Sequence, residues 1–154
     1  MDSFMAFAIR EALDGVVAGH GGPFGAAIVQ NGTVIAQDHN RVVLTNDPTA
    51  HAEVNVIRRA ASLLGCFDLS DCLLYTSCEP CPMCFAAAEW ARIPRVYFGA
   101  TRHDAADAGF DDAAIYQDVA DPHSAQNLVL AALDREACLE AFVAWKKKED
   151  RVLY

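Results

Sequence analysis

Positive charge is what this chain has least of. Twelve lysines and arginines stand against 21 aspartates and glutamates, for a formal net charge of −9. A protein that grips tRNA or DNA needs a cationic track to neutralise phosphates, so nucleic acid is not expected as a partner. The one dense basic run, Lys146-Lys147-Lys148, is followed at once by Glu149 and Asp150, and reads as a solvated helix end favoured by the helix dipole. Long apolar runs are missing too. Nothing approaches the roughly 18 continuous apolar residues of a membrane span. The stretch from Met1 to Glu11 has no basic start and no small-residue cleavage site, so no signal peptide is expected. Repeats, low-complexity tracts and linkers are also absent. The length of 154 residues then points to a single domain over 1–154.

What is present suits an ordinary globular core, with 53% hydrophobic residues. Six cysteines occur, and four of them stand at positions 72, 78, 81 and 84. Such clustering points to metal or catalysis rather than disulfides, and to the cytoplasm as the compartment.

Asp2 to Ala18 reads as an amphipathic helix closed by Gly19-His20-Gly21-Gly22-Pro23. Phe24 to Gln30 and Thr33 to Asp38 read as antiparallel strands, because Asn31-Gly32 between apolar runs is a strong hairpin signal. Arg41 to Asp47 is expected to be a loop. Pro48-Thr49 then opens a helix whose Val54, Ile57, Ala61 and Leu64 have the spacing of a buried stripe. Cys72 to Thr76 predicts a covered strand. A helix follows from Pro82 with Met83, Ala86, Ala87 and Trp90 on one side, then a fourth strand at Val96-Tyr97-Phe98 and a fifth from Asn127 to Ala131. Two late helices are expected, over Asp111–Val119 and Asp134–Lys148. A hairpin followed by alternating helix and strand implies an α/β fold, a three-layer α/β/α sandwich with a mixed five-stranded sheet.

The sharpest chemical signal is a pair of half-motifs, His51-Ala52-Glu53 and Pro80-Cys81-Pro82-Met83-Cys84. Together they follow the pattern of zinc base deaminases. Residues two apart on a helix point away from each other in mid-helix. His51 and Glu53 therefore serve one site only where a helix end faces it, and Thr49 is the expected cap of that end. Pro82 suits a first helical position, which makes Cys81 a cap and Cys84 a first-turn residue. His51, Cys81 and Cys84 are thus the expected zinc ligands, one ion per chain. Three protein ligands leave a position for water, as catalytic zinc sites do. Glu53 is the expected proton carrier. The rival reading is a structural zinc knuckle with Cys78 as a fourth ligand, or a redox pair. Cys66, Cys72, Cys78 and Cys138 otherwise read as small buried hydrophobes, and His20, His39, His103 and His123 as surface or satisfied loop residues.

At these residues the chain resembles the cytidine-deaminase superfamily. Gly21-Gly22-Pro23-Phe24-Gly25-Ala26, Asn46 to Glu53 and Tyr75 to Cys84 carry that resemblance over nearly the whole length. They are shared among guanine, tRNA adenosine and some cytosine deaminases. The stretch Asp104 to Asp112, with Tyr154 at the other end, is similar to the short bacterial guanine deaminases. That resemblance implies deamination of guanine to xanthine and ammonia. Glu53 and Asp112 would be catalytic; Phe24, Asn40, Ala52, Asp112 and Tyr154 would contact a purine base. It also implies a homodimer, with residues from about 130 to 154 exchanged between subunits. Guanosine or cytosine deamination, tRNA adenosine deamination and a non-catalytic zinc module remain as alternatives.

Overall fold

Asn31 and Gly32 take positive φ angles of 50° and 73°, and they turn β1 (Gly25–Gln30) directly back into β2 (Thr33–His39). This is the tight hairpin that an Asn-Gly pair favours. On its other side β1 pairs antiparallel with β3 (Cys72–Cys78), and β3 pairs parallel with β4 (Val96–Ala100). The computed structural model describes residues 3–125 and 128–154, and its sheet runs in the order β2-β1-β3-β4.

Helices cover both faces. Helix α1 (Met5–Ala18) lies against Gly25, where a Cβ would stand 2.2 Å from the Ala8 carbonyl oxygen. Only glycine permits that approach. Alternation along β1 then turns Ala26 and Ile28 to the opposite face, into a core with Ala52, Val56 and Ala60 of α3 (Ala52–Leu64). Leu74 of β3 and Ala88 of α4 (Pro82–Trp90) complete that layer. The expected α/β/α layering is therefore present. Between β2 and α3 lies a short helix, α2 (Val42–Thr45), where a loop was expected. After β4 come α5 (Arg102–Asp107), α6 (Ala113–Ala120) and α7 (Arg135–Lys147). Of these only α5 was not foreseen; its Thr101–Asp104 capping box escaped notice in an acidic stretch. No helix among the described residues is long and apolar enough to cross a membrane.

Among the described residues the sheet has four strands, not the five expected. Leu128 to Ala131 form no regular structure and are exposed; Asn127 lies outside the described residues, as does Asp2 at the expected start of α1. An apolar run becomes a strand only where a neighbour takes up its backbone groups, and among the described residues β4 pairs with β3 alone.

Three buried-face expectations also shift. The fully inward stripe of α3 is Ala52, Val56 and Ala60; of the expected residues Val54 is buried and Ile57 packs against the core, whereas Leu64 is exposed. The helix begins at Ala52, later than the sequence suggested. In α4 the buried residues are Cys84 and Ala88, while Trp90 stands 66% exposed. Cys72 and Cys78 are buried as expected, but Cys66 and Cys138 are exposed, because they sit on a loop and on the unburied α7.

Candidate active site

Two helix N-termini meet beside the C-terminal end of β3. The cap of α3 is His51, with extended φ and ψ of −70° and 153°. Thr49, expected in that role, is held by Asp47 instead: its amide and hydroxyl both donate to Asp47 Oδ1, at 2.8 and 2.7 Å. The helix thus starts later than its best capping residue suggests. Glu53 still falls in the first turn. Cys81 caps α4 with Pro82 next to it, and Cys84 lies in the first turn, as the spacing predicted.

His51 Nδ1 lies 3.6 Å from Cys81 Sγ and 3.5 Å from Cys84 Sγ. These three donor atoms lie within 4.8 Å of one another. Two sulfurs and one imidazole nitrogen are the ligand chemistry of zinc, with one tetrahedral position left open. The cluster therefore fits a zinc site. Cys78 is not part of it. Its thiol points to the Thr101 carbonyl oxygen at 3.6 Å, which removes the knuckle's fourth ligand.

The cluster's electrostatics follow from its geometry. The Cys84 thiol's hydrogen bond holds the Cys81 thiol down at about 4, against burial, and His51 and the Cys84 amide add to it. The hydrogen bond to Cys81 in turn raises His51 above the ordinary imidazole range. Cys84 is pushed far up by the neighbouring Cys81 sulfur and by burial. Without metal, the two cysteines act as a thiolate and a thiol sharing one proton.

Glu53 is 5% exposed. Its Oε1 accepts from the Thr76 hydroxyl of β3 at 2.9 Å, and its Oε2 lies 3.4 Å from Cys84 Sγ. Burial raises its carboxyl, and the Thr76 bond works against that rise. Thr76 was not foreseen as a site residue. The clue was a hydroxyl within a run expected to be covered on both faces, where it must find a partner.

These groups open into a cleft of about 670 Å³, within the usual range for small-molecule sites. Phe24, Asn40, His51, Glu53, Cys81 and Asp112 all line it. Asn40 Oδ1 accepts from the amides of Gly22 and Val42, at 3.4 and 3.1 Å, and among the described residues its NH2 group makes no hydrogen bond. Gly21 makes room for it: a Cβ there would stand 2.1 Å from Asn40 Oδ1. Phe24 meets Phe110 edge-on at 5.0 Å, and both rings line the cleft. Asp112 occupies the cap position of α6. Burial and the Cys81 charge raise its carboxyl above the ordinary range. Glu79 and Arg102 also line the cleft.

Two expected site residues do not line the cleft of this chain with their side chains. Ala52 stands between His51 and Glu53, but its methyl is fully buried in the core. Tyr154 packs on Phe67 and Trp90 of its own chain, with ring centroids 6.3 and 6.1 Å apart, and is not in its own chain's cleft. His39, expected to be a surface or loop residue, is buried at the end of β2, where Nδ1 pairs with Glu11 at 2.8 Å and Nε2 with His20 at 2.8 Å.

Comparison with known proteins places this geometry in context. Residues 1–100 match the family described as the cytidine and deoxycytidylate deaminase zinc-binding region. Guanine deaminase of Bacillus subtilis (strain 168) is 46% identical over 153 residues, covering 99% of this chain and 98% of that one. An X-ray structure of guanine deaminase from Bacillus subtilis superposes with a TM-score of 0.95, at 46% identity and with 99% and 98% of the two chains covered. A tRNA-specific adenosine deaminase of Agrobacterium fabrum is 51% identical, but over 78 residues, or 51% of either chain.

Proposed function

The chain belongs to the cytidine and deoxycytidylate deaminase family, and from that premise we propose that it hydrolyses guanine to xanthine and ammonia. The carrying observation is one cleft that joins the three-ligand cluster to a buried glutamate and to a second carboxylate, Asp112. The likeness to guanine deaminase extends over nearly the whole of both chains, whereas the likeness to the tRNA-specific enzyme stops at half. A net charge of −9 also disfavours a tRNA substrate, whose phosphates call for a cationic track.

His51, Cys81 and Cys84 would hold the zinc, one ion per chain. Bound there, it supplies a Lewis acid that makes water nucleophilic at neutral pH. The chain's own groups do the rest. Thr76 fixes Oε1 of Glu53, so Oε2 on the Cys84 side moves the proton. Glu53 takes it from the water that attacks C2 and passes it to N3, then helps protonate the departing amine. Asp112, whose raised carboxyl exchanges protons more readily near neutrality, shares that delivery. The NH2 group of Asn40 donates to a purine acceptor, O6 or N7, and Phe24 packs on the ring face. Ala52 contributes backbone alone.

The active assembly in this reading is a homodimer that exchanges residues from about 130 to 154. Helix α7 has no buried residue. Val129, Leu133 and Phe142 are 81, 78 and 63% exposed, and β4 is exposed from Tyr97 to Ala100. A second copy would cover both surfaces. Tyr154 would then reach the partner's cleft and shield the base from water. The cytoplasm suits such an enzyme, since the Cys81 and Cys84 thiols must stay reduced to bind metal.

A direct test is ammonia release from guanine, guanosine, adenine and cytosine in parallel. Guanine should be turned over far faster than the others. Faster release from cytosine or guanosine would reassign the substrate.

A further inference from the structure

We propose that Tyr116 is a positioning residue, which ties the helix carrying Asp112 to the loop carrying Cys81. The inference rests on the active-site role given to Asp112 above. Tyr116 lies one turn along α6, and its amide bonds to the Asp112 carbonyl oxygen at 3.1 Å. Its hydroxyl donates to the carbonyl oxygen of Pro80 at 2.7 Å. Pro80 is the residue before Cys81. On the ring's face, the Arg102 guanidinium carbon stands 4.9 Å from the ring centroid. The Arg102 amide donates in turn to Glu79 Oε2 at 3.0 Å, one residue before Pro80. Tyr116 is therefore gripped through its hydroxyl by the metal-holding loop and over its ring by α5.

Helix α6 needs such a tie because little else holds it. None of its residues is buried, and Ile115 and Val119 are 53 and 61% exposed. Among the described residues, the Tyr116–Pro80 bond is the one side-chain hydrogen bond from α6 to another element. Burial, with the Asp112 and Glu79 charges adding to it, raises the phenol, so it stays protonated and able to donate. Apolar packing alone would let a short, exposed helix shift by a fraction of an ångström, and displacements of that size at a catalytic group lower rate without unfolding the protein.

The test is a double-mutant cycle in the zinc-loaded full-length enzyme, using Tyr116→Phe, Asp112→Asn and the pair. Phenylalanine keeps the ring over which Arg102 sits and removes the hydroxyl. With guanine, Tyr116→Phe should lower kcat about tenfold and leave KM within about twofold. In the Asp112→Asn background the same change should have less than a twofold effect, because the group it positions is already gone. Zinc content after dialysis against a chelator should match the wild type. Equal losses in both backgrounds, or zinc loss from Tyr116→Phe, would overturn the inference, since the bond would then serve the fold or the metal loop. Asp112→Asn as active as the wild type would remove the role of Asp112 and this inference together. An impaired Asp112→Asn with additive losses would remove this inference alone.

Discussion

The Thr76 hydroxyl donates to Oε1 of Glu53 at 2.9 Å in a place where neither residue is more than 5% exposed. A strand residue thus fixes one oxygen of a helix-borne carboxylate and leaves the other facing the metal ligands. Replacing Thr76 with valine keeps the shape and removes the bond. The orphaned buried acceptor should reduce stability by about 1–3 kcal/mol. The bond favours the charged form of Glu53, so its loss raises that carboxyl further. Turnover that needs the carboxylate should then fail at a higher pH, and the acid limb of kcat/KM for Thr76→Val should move up. An unmoved or lowered limb would contradict the assignment.

Zinc uptake should release protons. In the metal-free chain Cys81 is already a thiolate, with its thiol at about 4, whereas Cys84 remains a thiol and His51 is held above its ordinary range. All three ligands must be unprotonated to bind metal. Binding near pH 7 should therefore release between about one and two protons per chain, and affinity should rise with pH. Calorimetry in buffers of differing ionisation enthalpy counts the protons. A count of zero, or affinity that falls as pH rises, would contradict the ligand set.

The remaining cysteines should separate by reactivity. Burial lifts the Cys72 and Cys78 thiols to about 11, with Asp71 adding to the first and the Glu53 charge to the second. Cys66 is exposed. Iodoacetamide near pH 8 should label Cys66 and leave Cys72 and Cys78 unmodified, as peptide mass mapping would show. Cys78→Ala should keep its zinc, whereas Cys84→Ala should lose metal and stability together. Metal loss from Cys78→Ala would restore the structural-knuckle reading.

Much of this architecture could be read locally. Asn31-Gly32 marks the hairpin because its turn needs φ angles that few other residues accept. The two half-motifs mark the metal ligands because each sits within one helix turn of a cap. What escaped notice depends on contacts distant in sequence. The late start of α3 is the local exception, a tight turn in which Asp47 captures Thr49. Thr76 meets Glu53 across 23 positions, and Tyr116 meets Pro80 across 36. The apolar run at Leu128–Ala131 resembles a strand in composition, but it joins no strand of the described sheet.

Whether the tail is exchanged between subunits can be tested by complementation. Glu53→Ala and a chain lacking residues 150–154 should each be inactive. Unfolded and refolded together, they should regain about a quarter of wild-type activity, because mixed dimers would hold one complete site. A mixture that stays inactive would mean that the tail acts within its own chain, if at all.

The central claim is that a buried Glu53 beside a His51/Cys81/Cys84 zinc site carries the proton in guanine deamination. The most direct measurement compares zinc content and ammonia release from guanine for the wild type and Glu53→Gln. Both should hold about one zinc per chain, the wild type should release ammonia, and the variant should be slower by roughly 10²–10⁴ or more. A zinc-loaded wild type that releases no ammonia from guanine, or a Glu53→Gln enzyme within tenfold of it, would contradict the account.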